Sequence, residues 1–301
     1  MEVLVIGATG KTGRQVTDAL VARGALVRAA SRKVEVEGQL EVESRGRVEA
    51  AGGPSNAAVA VTPVRFDWAD RTTWVQALGT AEGLYIVGPT AEPDAAVLVH
   101  DLLATATGVR RVVLLSVIGA DRLPAVVPMA AWEQDVRASG KQWTILRPNW
   151  FQQNFGDGAF TAPLRDRGAL ELAAGDAALS FIDTRDVAEV AAIALTEDGH
   201  GGETYQLTGP QAFTYGEALA VLGAAAGREL GYTALDPAVQ DQRMRAAGVP
   251  ERSVIWQAGL HTLIRQGTNA PVTDTVRRIT GHDPRPLAAY AAESAEAWQA
   301  S

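Results

Sequence analysis

Hydrophobic residues in the first half of the chain fall into short, dense runs separated by stretches with a three-to-four-residue repeat. Most of the runs at 3–6, 26–30, 61–66, 84–87, 112–116 and 143–146 are nearly all apolar, as expected of strands covered on both faces. Helical repeats occupy 11–23, 70–78, 94–107 and 128–139, with Gly24 placed to stop the first. The regular alternation predicts parallel strands joined by crossover helices, an α/β, doubly wound open sheet.

Beyond Phe155 the rhythm changes. Helical patterns at 186–195, 215–226, 237–247 and 254–265 dominate, with short strands expected at 180–182 and 204–207. This predicts a core domain over 1–155 and a smaller, mainly helical, substrate-binding part over 156–301. Some strands of that second part are expected to return to the main sheet, and its helices to cap the carboxyl ends where α/β folds bind ligands. Residues 33–56 alternate apolar with acidic side chains and exceed a normal connection. They are expected to form an exposed hairpin or a mobile insertion (34–56).

Composition narrows the partners. The net charge of −8 and the lack of a basic run argue against a nucleic acid, whose phosphates need a basic stripe. There is no cysteine, and the four histidines are far apart, so thiolate chemistry is excluded and metal binding through histidine is disfavoured. No stretch approaches the roughly 20 apolar residues of a membrane span, and "MEVLVIG" already reads as a strand. The expected location is the cytoplasm.

The first strand runs into "VLVIGATGKTGRQV", which sets Gly7, Gly10 and Gly13 between strand and helix. Glycines there let the backbone approach a pyrophosphate lying on the helix N-terminus, the Rossmann-type dinucleotide fingerprint. Thr9, Lys11 and Thr12 stand ready to add contacts. The second strand ends in Ser31, Arg32 and Lys33, where an acid would select the ribose hydroxyls of NAD. Cations without a carboxylate suit the 2′-phosphate of NADP(H), and a charged hydrogen bond of this kind is worth roughly 1.5–3 kcal/mol. Asp67 and Trp68 follow the third strand, where an acid accepts from adenine N6. Val87, Gly88 and Pro89 end the fourth, beside the expected nicotinamide ribose.

"ASGKQWTILRPNWFQQNF" (138–155) and "FIDTRDVAEVAA" (181–192), together with the glycine turn, resemble the NmrA-like, atypical short-chain dehydrogenase/reductases. "GKT" in the first loop, "ASR" after the second strand, "MRAAGVP" and "VRRITGHDPRPL" are similar to the ergot-alkaloid reductase branch, the festuclavine synthase or agroclavine dehydrogenase type. The resemblance implies that Pro148 and Asn149 lie beside the cofactor. It implies a substrate wall of Trp150, Phe151, Asn154 and Phe155 and a Ser116 that orients a substrate carbonyl, and the apolar Ile118 and Met129 are expected to join that wall.

The wider superfamily protonates its product with a tyrosine and a lysine four residues apart, the lysine four before a helical glutamate. Counting back from Glu133 reaches Met129 and Ala125. Both functional groups are missing, and Glu133 itself is expected to be structural. General acid help is typically worth about 10²–10⁴ in rate, so the substrate must be self-activated. An iminium needs no proton, an aryl ketone beside a phenol carries its own, and a quinone spreads the incoming charge. The sequence therefore predicts an NADPH-dependent reductase of a small polycyclic aromatic or alkaloid-like molecule. Quinone reduction is the second enzymic reading, and an NADP(H) sensor without turnover the third.

Overall fold

The computed structural model describes residues 1–32, 60–90, 92–123 and 127–299. Lys33 and the expected insertion lie outside them, as does Ala125. In chain order the first part comprises β1 (Glu2–Ile6), α1 (Lys11–Ala22), β2 (Leu26–Ser31), β3 (Val61–Arg65), α2 (Trp74–Leu78), β4 (Gly83–Val87), α3 (Ala95–Thr105), β5 (Arg111–Leu115), α4 (Met129–Ala138) and β6 (Gln142–Pro148). There follow α5 (Gln153–Gly156), α6 (Thr161–Arg167), β7 (Ala169–Leu172), α7 (Thr184–Thr196), β8 (Glu203–Leu207), α8 (Tyr215–Ala226) and β9 (Gly231–Ala234). The chain closes with α9 (Pro237–Ala246), α10 (Glu251–Arg265), α11 (Thr275–Thr280) and α12 (Leu287–Glu293).

Seven parallel strands form one sheet in the order β3-β2-β1-β4-β5-β6-β8. Alternate residues of the central strands supply two separate cores, because successive side chains of a strand point to opposite faces. Leu4, Ile6, Leu84, Ile86, Val112 and Leu114 pack on the face of α2, α3 and α4. Val3, Val5, Tyr85 and Val113 pack on the other, against α1 and α7. Burial on both sides explains the dense apolar runs. The order turns back between β1 and β4, and their carboxyl ends form the switch point where ligands of such sheets sit.

Residues after Phe155 do two things. β8 joins β6 as the outermost strand and α7 packs on α1, while a third core gathers Phe155, Phe160, Leu164, Phe181, Tyr215 and Leu219. The strand expected at 180–182 is not one. The N–H of Ser180 bonds the carbonyl of Asn269 and that of Ile182 bonds Trp150, so separate segments satisfy the stretch and no ladder forms. A two-stranded parallel sheet of β7 and β9 was not foreseen from the sequence. Among the described residues, no helix is long and apolar enough to cross a membrane, and no cluster of histidine and acidic side chains is arranged to hold a metal ion.

Candidate active site

At the switch point the chain leaves β1 through Gly7, whose φ of 76° lies in the left-handed region that favours glycine. A Cβ on Gly13 would stand 2.1 Å from the Gly7 carbonyl oxygen, and one on Gly10 3.2 Å from it. The three glycines thus allow the turn to close tightly on the first turn of α1. That helix begins without a side-chain cap and without an acid in its first turn. Its leading N–H groups and positive dipole end are therefore available to an anion. Thr9 is exposed and Thr12 buried beside the turn. Val87 supports it from β4, its Cβ 3.4 Å from where a Gly7 Cβ would sit. This cradle fits a pyrophosphate.

Ser31 closes β2 and the exposed Arg32 comes directly after it, as expected. Asp67 commits one carboxylate oxygen to its own turn, accepting from the Ala69 N–H at 3.0 Å. Trp68 is half-buried and packs edge-on against Phe66 and Trp74, with ring centroids 5.0 and 5.9 Å apart. Pro89 is buried. Gly88 is explained by packing: a Cβ there would lie 2.2 Å from the Trp132 ring, which reaches over the end of β4 from α4.

Beside the cradle lies an open cavity of about 220 Å³, lined by Val117, Ile118, Pro148, Asn149, Trp150, Phe151, Asn154, Leu260, Leu263 and Asn269. No ionisable side chain is among them. Asn149 is a tie, not a free ligand. Its Nδ2 donates to Ser180 Oγ and to the Asn269 carbonyl at 2.7 Å each, and its Oδ1 accepts from Asn269 Nδ2 at 2.8 Å. Asn154 turns its Oδ1 to the Lys11 ammonium at 2.9 Å, leaving its amide donors uncommitted. The wall is fixed from behind by the chain's end, where Trp298 Nε1 donates to the Phe155 carbonyl at 2.7 Å.

Three residues expected at the substrate lie elsewhere. Ser116 is 1 % exposed and donates its proton to Glu133 at 2.6 Å, so its hydroxyl has none left for a substrate carbonyl. Phe155 is wholly buried in the third core. Met129 belongs to the core under α4, with Trp132 and Val136. Conversely, Val117, Leu260, Leu263 and Asn269 line the cavity without having been marked. The apolar spacing of 260 and 263 along α10 was the one available signal, and it is equally the signal of core packing.

Glu133 behaves as expected of a structural group. Arg147 grips it at 2.8 and 2.6 Å, and Arg137 adds a bond at 3.0 Å. Burial pulls its pKa upward, but the hydrogen bonds from Arg147 and Ser116 and the charge of Arg147 outweigh that, so it titrates below the usual carboxylate range.

Trp150 stacks on His261, centroids 5.9 Å apart. Gln240 donates to His261 Nδ1 at 3.0 Å while its Oε1 accepts from the Ala173 N–H, which leaves the imidazole proton on Nε2. Burial, with Arg265 adding repulsion, pulls the His261 pKa down to about 4. A histidine depressed in this way stabilises the fold fully above its unfolded value near 6.5. That stability is lost as pH falls toward 4, by roughly 3 kcal/mol in total. Asp186, whose pKa burial raises to about 6, has the opposite slope. The difference between wild type and His261→Phe isolates the histidine. In urea titrations the wild type should lose stability relative to the variant between pH 6.5 and 4, and parallel curves would remove His261 from the account.

With the turn, its helix and the adjoining cavity in place, comparison with known proteins identifies the group. The NmrA-like family profile matches residues 1–257. The chain belongs to the NmrA-like family. Among its relatives, an NAD(P)H azoreductase of Xenophilus azovorans is 32% identical over 99% of this chain and 100% of its own. An agroclavine dehydrogenase of Claviceps fusiformis is 27% identical over 77% of this chain and 83% of its own. The crystal structure of the Escherichia coli NADPH-dependent quinone oxidoreductase QOR2 with NADPH superposes with a TM-score of 0.78 at 23% identity, covering 97% of this chain and 99% of that one. At that identity the likeness concerns the fold alone. NmrA-like architecture and the resemblance to the ergot-alkaloid branch are both supported by these matches.

Proposed function

We propose that this protein, an NADP(H)-dependent oxidoreductase of the NmrA-like family, reduces a self-activated C=O or C=N group of a flat, apolar polycyclic molecule. The carrying observation is the cavity wall, which among the described residues is apolar except for three asparagines and has no ionisable side chain. Such a wall offers no proton to a developing alkoxide, so the acceptor must need none or bring its own. An iminium, or an aryl ketone flanked by a phenol, meets that requirement. At about 220 Å³ the cavity is smaller than an ordinary drug-sized site, so a polycyclic guest extends through its open side.

The glycine turn and the α1 N-terminus hold the pyrophosphate, and Arg32, with Ser31 beside it, meets the 2′-phosphate. Bound there, NADPH supplies the hydride. Trp150, Phe151 and Leu263 exclude water and orient the ring system, which can lower a barrier by ~7–11 kcal/mol through proximity alone. The uncommitted amide of Asn154 takes the carbonyl-orienting role expected of Ser116. A relative is named an NAD(P)H azoreductase, and quinones fit the same cavity chemistry.

Oxidation of NADPH, followed by nicotinamide absorbance with panels of cyclic iminiums, hydroxyaryl ketones and quinones, tests the reading. Turnover of the first two classes is expected. Tight NADP⁺ binding without turnover of any class would make the protein a sensor instead. Arg32→Ala should weaken NADPH relative to NADH by about ten- to a hundred-fold. An unchanged ratio of the two affinities would take Arg32 out of the site.

A further inference from the structure

Lys11 stands where a cation is least welcome. It is the first residue of α1, and the N-terminus of a helix carries partial positive charge that repels an ammonium. Its side chain nevertheless does not swing into solvent. It crosses to the other part of the molecule and donates to Asn154 Oδ1 at 2.9 Å, a contact between residues 143 apart in sequence. The carboxylate of Asp157 also attracts it. The chain makes room for this reach at Gly158, where a Cβ would lie 2.4 Å from the Lys11 Nζ. Asn154 meanwhile lines the substrate cavity, one residue after Gln153 opens α5.

We propose that Lys11 is a positioning residue that couples occupancy of the phosphate cradle to the shape of the substrate wall. An ammonium has three donors. One holds Asn154, and the others are left for the anion that the helix end awaits. With an anion in the cradle the ammonium gains a counter-charge, its position is fixed, and Asn154 and α5 are fixed with it. Affinity for the two ligands is then linked in both directions, because coupling free energy is reciprocal. The inference rests on the proposed dinucleotide site and adds to it a specific link, through Lys11 and Asn154, between that site and the substrate wall.

NADP⁺ calorimetry on the intact protein reads this out without turnover. Asn154→Ala should weaken NADP⁺ by about fivefold or more, although Asn154 lies in the substrate wall. Lys11→Met should weaken it further, and the double variant should bind no more weakly than Lys11→Met alone. Lys11→Arg, which retains charge and donors, should restore most of the affinity. Gly158→Ala removes neither group but displaces the ammonium, and should reproduce the Asn154→Ala loss. The reciprocal arm measures 1,4-naphthoquinone binding with and without saturating NADP⁺. Wild type should show enhancement by NADP⁺, and Lys11→Met none. Wild-type NADP⁺ affinity in Asn154→Ala and Gly158→Ala, or losses that multiply in the double variant, would overturn the coupling while leaving the cofactor site intact. Failure of the folded wild type to bind NADP⁺ would overturn both.

Discussion

Glu133→Ala should lower the unfolding free energy by about 3–5 kcal/mol, the cost of breaking a buried charge pair from one side. The glutamate is 2 % exposed and satisfies three side chains at once. Its loss strands the Arg147 guanidinium, itself 11 % exposed, with the Asp121 carboxylate at 3.0 Å as its remaining ion-pair partner among the described residues. These bonds also join α4 to the ends of β5 and β6, where Ile118 follows the one and Pro148 closes the other, both lining the cavity. Glu133→Gln should fall between, since it keeps the shape and loses the charge. Ser116→Ala removes a single neutral donor and should cost nearer 1 kcal/mol. The stabilisation exists while Glu133 is ionised, so it is present above the unfolded carboxylate value and disappears as pH falls through its lowered folded one. Chemical denaturation of the three variants checks the order. An alanine variant within 1 kcal/mol of wild type would show that the cluster adds nothing.

Gly13→Ala is expected to weaken dinucleotide binding by about a hundredfold or more in a protein that still folds. Propensity alone would favour alanine inside α1 by about 1 kcal/mol. Geometry reverses the sign, because the new Cβ would lie 2.1 Å from the Gly7 oxygen, 2.6 Å from the Gly7 carbonyl carbon and 3.0 Å from the Ala8 Cα. All three are backbone atoms and cannot rotate away. Either α1 or the turn must move, at a cost of about 1–3 kcal/mol for overpacking, and the N–H groups leave their aim. Displacement of about 1 Å can cost a factor of 10², so NADP⁺ affinity should fall by at least roughly that factor. Gly10→Ala, with its Cβ at 3.2 Å, should lose far less. Calorimetry with circular dichroism separates lost binding from lost fold, and equal affinities for the two variants would contradict the geometry.

Much of this molecule was legible along the chain. The core strands announce themselves because the middles of β1, β4 and β5 are buried on both faces, so their central positions are apolar. Gly7, Gly10 and Gly13 announce themselves because only the lack of a side chain admits that turn, and the absence of a tyrosine and lysine ahead of Glu133 was readable by counting. The structural role of Glu133 was also foreseen, although Arg147 as its main partner was not.

What tertiary structure decided was direction and partnership. Ser116 faces Glu133 and not the cavity, Phe155 faces a third core, and Met129 faces the sheet, yet their residue types would be the same in either setting. Leu260, Leu263 and Asn269 reach the cavity from more than 100 positions beyond β6, where no local pattern marks them. Lys11 was read as a cofactor ligand from its motif. Its bond to Asn154 depends on α5 lying over the glycine turn, a relation that only the folded chain creates. Local sequence sets which elements form and which turns are possible, because these depend on neighbours along the backbone. Which side chains share a cavity depends on how distant elements pack, and that is written in no single stretch.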